Sequence, residues 1–170
     1  VSVLCRSAFS SPDLEGDLTL WGHLSSLDVF DIHWVVAFGR TALIIATWAD
    51  YLPIVEHLTA LDGIDINQVD ADGDTALTIA TWEGHLPIVE HLTALDGIDI
   101  NQIDAVDRTA LIIAAQEGHL HIVEHLTALD GIDINQAGDY GRTALSIASR
   151  EGHLSIVEHL TVLACIDLHQ

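Results

Sequence analysis

The feature that most constrains this chain is an internal repeat with a period of 34 residues. The tripeptide Thr-Ala-Leu recurs at this interval, beginning at Thr41, Thr75, Thr109 and Thr143. Segments 41–68 and 75–102 are identical at 24 of 28 positions, so they are expected to fold alike. A weaker copy occupies 7–34. A fixed period of this size is typical of a solenoid, in which stacked units bury their apolar faces against their neighbours.

Each repeat is predicted to contain two short helices followed by a short loop that leads to the next repeat, here called the finger. Thr41 is a suitable N-cap for an apolar first helix, and glycine in the later Glu-Gly-His segments tolerates the backbone angles that end it. Apolar side chains at helical spacing predict the second helix; they are Leu52, Val55, Leu58 and Leu61. The alternation in 62–67 predicts a short extended stretch, and the composition of 69–74 predicts a turn.

These segments, in this fixed order, resemble the ankyrin repeat. The motifs are Thr-Ala-Leu, Gly-His-Leu-x-Ile-Val-Glu, Gly-Ile-Asp-Ile-Asn and an Asp-x-Asp-Gly-Asp-Thr tip. The likeness is strong over 41–170 and weak over 7–40, and Ala42 stands where the family usually has proline. It implies an all-α, helix-turn-helix solenoid with short extended finger loops, forming a single domain over 1–170. The repeats are expected at about 7–40, 41–74, 75–108, 109–142 and 143–170.

The resemblance implies a non-catalytic scaffold that binds another protein through its finger tips and the exposed side of its first helices. Since the repeats are otherwise near copies, positions that vary between them are the predicted contacts. Trp48 and Trp82 are the strongest candidates, because tryptophan is frequent among binding hot spots; the alternative is that both rings pack against the neighbouring repeat. The predicted set is Phe38, Arg40, Trp48, Asp72, Asp74, Trp82, Glu83, Val106, Arg108, Gln116, Glu117, Tyr140, Arg142 and Arg150.

The charge of the chain restricts the class of partner. It carries 26 acidic residues against five lysines and arginines, which gives a formal net charge of −21. Nucleic acid is not an expected partner, because phosphate backbones bind basic surfaces. Membrane insertion is not expected either, since no apolar run approaches the ~20 residues that span a bilayer. No targeting segment in the sequence assigns a compartment.

Histidine recurs at two positions of the repeat, and the set of residues at one such position in successive repeats is here called a column. These histidines raise the question of a metal site. One column contains His57, His91, His125 and His159, and the other contains His85, His119 and His153. Stacked helices lie about 8–10 Å apart, too far for column members to share one zinc through bonds of ~2.1 Å. No metal is therefore predicted, and the Gly-His column resembles the loop-bracing histidine of the family.

Segment 70–74 superficially resembles a calcium-binding loop. The twelfth position of such a loop should be acidic, but here it is Thr81, so a turn is expected instead. No pairing of a nucleophile with a base recurs in the sequence, and no glycine-rich phosphate loop precedes a helix. Neither catalysis nor a cofactor is predicted.

The alternative function is a structural subunit that assembles head to tail into a filament. Gln170 ends in the register that precedes Val69, and Val1 occupies the register of Val69, so one copy is expected to continue the stack of another. Cys5 and Cys165 lie too far apart to bond within one straight array; they are expected to be free thiols unless copies stack. The predicted contacts are Val1, Val3, Leu4, Cys5, Ile156, Leu160, Leu163, Cys165 and Ile166.

Overall fold

The structure, a computed structural model, describes residues 41–167, with side chains described as far as Leu163. It contains α1 (Ala42–Trp48), α2 (Leu52–Thr59), α3 (Ala76–Glu83), α4 (Leu86–Thr93), α5 (Ala110–Glu117), α6 (Leu120–Thr127), α7 (Ala144–Glu151) and α8 (Leu154–Asp167). A short 3-10 turn, Asp139–Gly141, lies before α7. Residues 41–167 contain no strand. The described chain is an all-α helical repeat, which confirms the predicted fold class.

Each odd-numbered helix begins after a threonine whose hydroxyl caps it. The hydroxyl of Thr75 accepts a hydrogen bond from the backbone N–H of Thr78 at 3.1 Å, and the Thr78 hydroxyl accepts one from the N–H of Thr75 at 2.8 Å. The first of these bonds recurs at Thr41, Thr109 and Thr143. The caps satisfy N–H groups that have no partner inside the helix. They fix where each repeat starts.

A left-handed residue ends each odd-numbered helix or the turn that follows it. Gly84, Gly118 and Gly152 are the C-caps of α3, α5 and α7, with φ between +80° and +81°. Asp50 occupies the same place after α1, with φ +58°. The α1–α2 turn therefore keeps the shape of the later turns without a glycine.

The helices form two layers along the stack. Odd-numbered helices pack against one another in order, even-numbered helices do the same, and the two helices of each pair pack together. The interior is apolar and almost fully buried, with leucine from the first helices and valine from the second: Leu43, Leu77, Leu111, Val55, Val89 and Val123. Because each unit contacts only its neighbours, the core runs continuously through the described residues.

The segment that follows α2, α4 and α6 is a pair of turns, so the extended stretch predicted from its alternation is wrong. Gly63 turns the chain with φ +81°, and the backbone N–H of Asn67 donates to the carboxylate of Asp65 at 3.1 Å. Ile66 packs against the core while Asp65 is exposed. Alternating burial thus arises here from turns rather than from a strand.

The last helix departs from the repeat pattern. Helix α8 has 14 residues, whereas α2, α4 and α6 have eight. A glycine with φ above +80° follows each of those shorter helices, at Gly63, Gly97 and Gly131. Cys165 stands at that position in the last repeat. Since glycine is the residue that enters the left-handed conformation most easily, its replacement explains why the helix continues to Asp167.

A ladder of side-chain hydrogen bonds joins successive even-numbered helices. The hydroxyl of Thr59 lies 2.8 Å from Nε2 of His91 and also donates to the carbonyl of Val55 at 2.9 Å. The hydroxyl has a single proton, so when it donates to that carbonyl it accepts from Nε2–H of the histidine. The same bond joins Thr93 to His125 and Thr127 to His159. These histidines of the first column connect the repeats.

The Gly-His column connects the odd-numbered helices to the next repeat. Nε2 of His119 lies 3.2 Å from the carbonyl oxygen of Trp82, and Nε2 of His153 lies 3.0 Å from that of Gln116. A carbonyl only accepts, so these histidines donate through Nε2. This is the bracing role that the family resemblance implies. At the first step, Nδ1 of His85 lies 3.6 Å from the carboxylate of Asp50 instead.

Asparagine makes a third connection, between the turns that follow the even-numbered helices. The amide of Asn67 donates to the carbonyl of Gly97 at 2.8 Å and accepts from the N–H of Asp99 at 2.9 Å. Asn101 repeats both bonds one unit later. Each described step is thus held by the core and by bonds at several points across the stack.

Candidate partner-binding surface

The two tryptophans that the sequence singles out lie at the ends of α1 and α3. Trp48 is 56% exposed and Trp82 is 40% exposed, so each ring contacts the protein on one side and solvent on the other. In α3 the preceding residue, Thr81, is buried, and its hydroxyl donates to the carbonyl of Leu77 at 2.8 Å. Successive helical residues point about 100° apart, so burial of Thr81 turns Trp82 outward.

The finger at 104–108 is built around a buried carboxylate. One oxygen of Asp104, Oδ1, accepts the backbone N–H groups of Val106 at 2.9 Å and Arg108 at 2.8 Å. The other, Oδ2, accepts Nε of Arg108 at 2.8 Å and lies 2.7 Å from its Nη2. Every oxygen of this buried group therefore has partners, and its charge is matched by a guanidinium.

The guanidinium of Arg108 also reaches the end of α3. Its central carbon lies 4.6 Å from the centroid of the Trp82 ring, a geometry that gives a favourable cation–π contact. Arg108 thus connects its own finger to the end of α3. Trp82 and Arg108 were both predicted as partner contacts, and the structure places them together.

The finger at 70–74 has the same backbone hydrogen bonds as the finger at 104–108, but it ends in an acidic rather than a basic residue. Oδ1 of Asp70 accepts the N–H groups of Asp72 at 2.9 Å and Asp74 at 3.1 Å, as Asp104 does one unit later. Asp74 stands where Arg108 stands in the next repeat. Burial raises the pKa of the Asp74 carboxyl above its usual range, and the neighbouring carboxylates of Asp70 and Asp104 raise it further.

A groove of about 200 Å³ opens at this place, between the ends of α1 and α3 and the two fingers. Its walls include both indole rings, three carboxylates and the guanidinium. Its lining residues are Trp48, Asp70, Asp74, Ile79, Trp82, Glu83 and Arg108. Positions that vary between the repeats therefore converge on one concave feature.

A comparison with protein families supports the fold described above. The family described as ankyrin repeats (3 copies) matches residues 22–104 and 97–168, which together make up most of the chain. The chain belongs to the ankyrin repeat family. No curated protein matches it significantly. Ankyrin repeats are generally protein–protein interaction modules and are typically non-catalytic.

Sequence reasoning missed two residues that line the groove in this ankyrin repeat stack. Ile79 is repeated unchanged as Ile45, Ile113 and Ile147, so a search for variable positions passes over it. Asp70 belongs to a column that does vary, since Gly138 replaces the aspartate in the last described finger. Comparison of that column would have drawn attention to Asp70.

The remaining predicted contacts line the finger tips and helix ends outside the groove. Val106 and Asp72 are exposed, as is Tyr140, which has a left-handed backbone with φ +57°. The guanidinium of Arg142 lies 5.1 Å from the centroid of the Tyr140 ring. At the ends of α5 and α7, the side chains of Gln116 and Arg150 bond to their neighbours Glu117 and Glu151. Phe38 and Arg40 lie outside the described residues.

The residues predicted for head-to-tail assembly differ in their burial and in whether the structure describes them. Ile156 and Leu160 are only 1% and 2% exposed, so they belong to the core and offer no surface to a second copy. Leu163 is partly buried. Cys165 and Ile166 lie in the part of α8 whose side chains are not described, and Val1, Val3, Leu4 and Cys5 lie outside the described residues.

Metal and membrane sites were also sought in the part of the chain that the structure describes. Within it, no three side chains of histidine, cysteine, aspartate or glutamate gather as metal ligands. The helices found there are all too short or too polar to cross a lipid bilayer.

Proposed function

We propose that this protein is a non-catalytic scaffold that binds a partner protein through its finger tips and the exposed ends of its odd-numbered helices. The observation that carries the proposal is the groove between Trp48 and Trp82. Large aromatic side chains supply much of the binding energy in protein interfaces, and these two remain substantially exposed beside polar groups.

The way the repeats are joined supports a binding role. Side-chain hydrogen bonds of three kinds join the described repeats, with at least two kinds at each step, in addition to the shared core. A surface held in place before binding loses less conformational entropy when a partner docks. The scaffold is therefore expected to bind as a preformed surface, with little backbone movement.

The experiment is affinity capture of partners on the full chain, followed by titration of each purified partner. Wild type is compared with the double variant Trp48→Ala/Trp82→Ala and with Glu90→Ala, which truncates an exposed residue of α4. We expect the double variant to lose a specific partner by at least tenfold in Kd, while Glu90→Ala retains it. A partner that binds all three proteins equally, or the absence of any specific partner, contradicts the proposal.

We propose self-assembly through α8 as a second candidate function. Leu154 is 67% exposed and Val162 is 62% exposed, and both are large apolar side chains. In the three preceding repeats the residues equivalent to Leu154 pack against the core; they are Leu52, Leu86 and Leu120. An apolar surface of this kind favours contact with the apolar surface of another copy.

Light scattering across protein concentration tests this second candidate. We expect the molar mass to rise with concentration and with added salt, which screens repulsion between acidic copies. The double variant Leu154→Ser/Val162→Ser is expected to stay at the monomer mass of 18.4 kDa under the same conditions. A wild-type mass that stays at that value throughout rejects self-assembly.

A further inference from the structure

The last described finger, at 138–142, lacks the carboxylate around which the finger before it is built. In that preceding finger, Asp104 is buried and binds the guanidinium of Arg108 through contacts of 2.7 and 2.8 Å. Gly138 stands in the register of Asp104, and Arg142 stands in the register of Arg108. The last finger therefore has the arginine without the aspartate.

The backbone around Gly138 leaves no room for such an aspartate. A Cβ added to Gly138 would clash with the backbone carbonyl oxygen of Asp107. The finger closes through backbone bonds instead: the N–H of Gly138 donates to the carbonyl of Arg142 at 2.9 Å, and the N–H of Gly141 donates to that of Gly138 at 3.0 Å. The shape of this finger therefore does not depend on a partner for the Arg142 side chain.

The guanidinium of Arg142 is exposed and stacks on a tyrosine. Its central carbon lies 5.1 Å from the centroid of the Tyr140 ring. Arg108 and Arg150, the other arginines among the described residues, each pair with a carboxylate, whereas Arg142 forms no ion pair within that part of the chain. An unpaired guanidinium is unexpected in a chain with 26 acidic residues.

Arg108 shows that a guanidinium stacked on an aromatic ring still binds a carboxylate. Its central carbon lies over the ring of Trp82, while N–H groups at its edge donate to Asp104. Because the group is planar, its face and its edge make these contacts together. Arg142 stacks on Tyr140 in a comparable way. Its edge is therefore available to donate two parallel hydrogen bonds to a carboxylate from outside.

The backbone of Tyr140 draws attention to the same finger. Its φ of +57° lies in the left-handed region, which is unfavourable for a residue other than glycine. Asp72 and Val106, at the same position in the preceding fingers, do not have a positive φ. The ring of Tyr140 is 83% exposed, so burial in the core does not explain this conformation. Residues held in unfavourable backbone conformations cluster at binding sites.

We propose that Arg142 and Tyr140 bind a glutamate or aspartate side chain of the partner protein. The incoming carboxylate accepts from Arg142 as Asp104 accepts from Arg108, and an apolar side chain next to it packs against the exposed ring of Tyr140. The net charge of −21 repels a densely acidic segment, so the partner presents one carboxylate among apolar residues. The inference rests on the proposed scaffold function, since it names the chemistry that one finger recognises.

The test follows the guanidinium N–H signals of the isotope-labelled full chain by NMR, because the chain has only five arginines. The probe is acetyl-Gly-Leu-Glu-Leu-Gly-amide, and the same peptide with glutamine in place of glutamate is the neutral control. About 0.15 M NaCl screens distant charges. We expect the glutamate peptide to shift the Arg142 signal and to bind at least fivefold more tightly than the glutamine peptide. Equal binding, binding of neither, or a larger shift at Arg108 than at Arg142 overturns the proposal.

Two variants that change the net charge equally show whether this finger is the site. Arg142→Gln removes a positive charge, and Pro87→Glu adds a negative charge at an exposed position of α4, where later repeats have His121 and Ser155. We expect Arg142→Gln to weaken binding of the glutamate peptide at least fivefold and Pro87→Glu less than twofold. Equal effects would mean unspecific repulsion and overturn the proposal. If the spectrum shows that Arg142→Gln is unfolded, Arg142→Lys replaces it, with at least threefold weakening expected because an ammonium lacks the paired donors.

The two proposals fail in different ways. If the glutamate peptide does not bind, but Trp48→Ala/Trp82→Ala still loses a protein partner, the scaffold function stands and the carboxylate inference is wrong. If the peptide binds through Arg142 but no partner depends on the tryptophans, the finger binds carboxylates and the groove is not the binding surface. If both are observed, both proposals are supported, and if neither is observed, both are contradicted.

Discussion

The guanidinium of Arg108 lies 4.6 Å from the ring centroid of Trp82, at the end of α3. The same side chain is bonded to the buried carboxylate of Asp104. One arginine therefore neutralises a buried charge within its own finger and covers part of an aromatic ring at the end of α3. Its removal should affect stability as well as the binding surface.

We predict that Arg108→Ala lowers the free energy of unfolding by about 2 kcal/mol, because it leaves a buried carboxylate without its cation. Asp104 retains two backbone hydrogen bonds, which limits the loss. Arg142→Ala is the matched control, since Arg142 is exposed and stacks on exposed Tyr140; a change below about 0.5 kcal/mol is expected. Urea unfolding of the three proteins checks this, and equal losses would show that the Asp104 contact is unimportant.

A second prediction concerns the close approach of glycine to the bracing histidine. A Cβ placed on Gly118 would lie 2.7 Å from the ring of His153, whereas one on Gly152 meets none of the described residues within 4 Å. Both glycines cap a first helix with φ +81°. Gly118→Ala and Gly152→Ala therefore share the left-handed penalty of about 1 kcal/mol. We expect Gly118→Ala to lose about 1 kcal/mol more, measured by urea unfolding, because His153 must move away from Gln116; indistinguishable losses would contradict this.

Two equivalent threonines should respond differently to truncation. The hydroxyl of Thr81 donates to the carbonyl of Leu77, while that of Thr47 is buried with no hydrogen-bond partner among the residues described. Ala115 stands in the same column, so this position accommodates alanine. We predict that Thr81→Ala lowers the free energy of unfolding by about 1 kcal/mol more than Thr47→Ala does. Thermal unfolding gives the comparison, and a larger loss for Thr47→Ala would reverse the interpretation.

The raised pKa of Asp74 gives a prediction about pH. A carboxyl with a higher pKa in the folded than in the unfolded state binds its proton more tightly when folded. Its contribution to stability therefore falls as the pH rises from the unfolded value of 3.8 through the folded value. We expect Asp74→Asn to be more stable than wild type at pH 7, with a smaller difference at pH 3.5. Urea unfolding at both pH values tests this; an advantage that grows at low pH would have the wrong sign.

The solenoid could be predicted from the sequence because near-identical repeats reveal which positions are constant. Thr75 was recognisable as a cap, and Gly84 as a helix end, from local chemistry alone. The turn at Ile64–Asn67 was missed, because a turn that points alternate side chains inward gives the same pattern as a strand. The bond from the Asn67 side chain to Gly97 was also beyond local pattern, because the two residues lie in different repeats.

The groove could be predicted only in part. Variation between repeats identified Trp48, Trp82 and Arg108, but it does not say which variable positions meet in space. The pairing of Arg108 with Trp82 joins the first helix of a repeat to the finger at its end, and it depends on how that finger folds back over α3. The burial of Ile156 could not be predicted either, since an apolar residue in the last repeat can face either the core or the end of the stack.

Every side-chain bridge between units described above spans roughly one period: 30 residues from Asn67 to Gly97, 32 from Thr59 to His91 and 37 from Trp82 to His119. The chain can therefore be lengthened in whole units without leaving any of these bonds broken, whereas one residue inserted within a unit would put the bonds that span it out of register. Duplication of 41–74 would place another Trp48 and another Asp74 side by side in the array. The number of grooves, and with it the valency of the protein, can thus grow by copying alone.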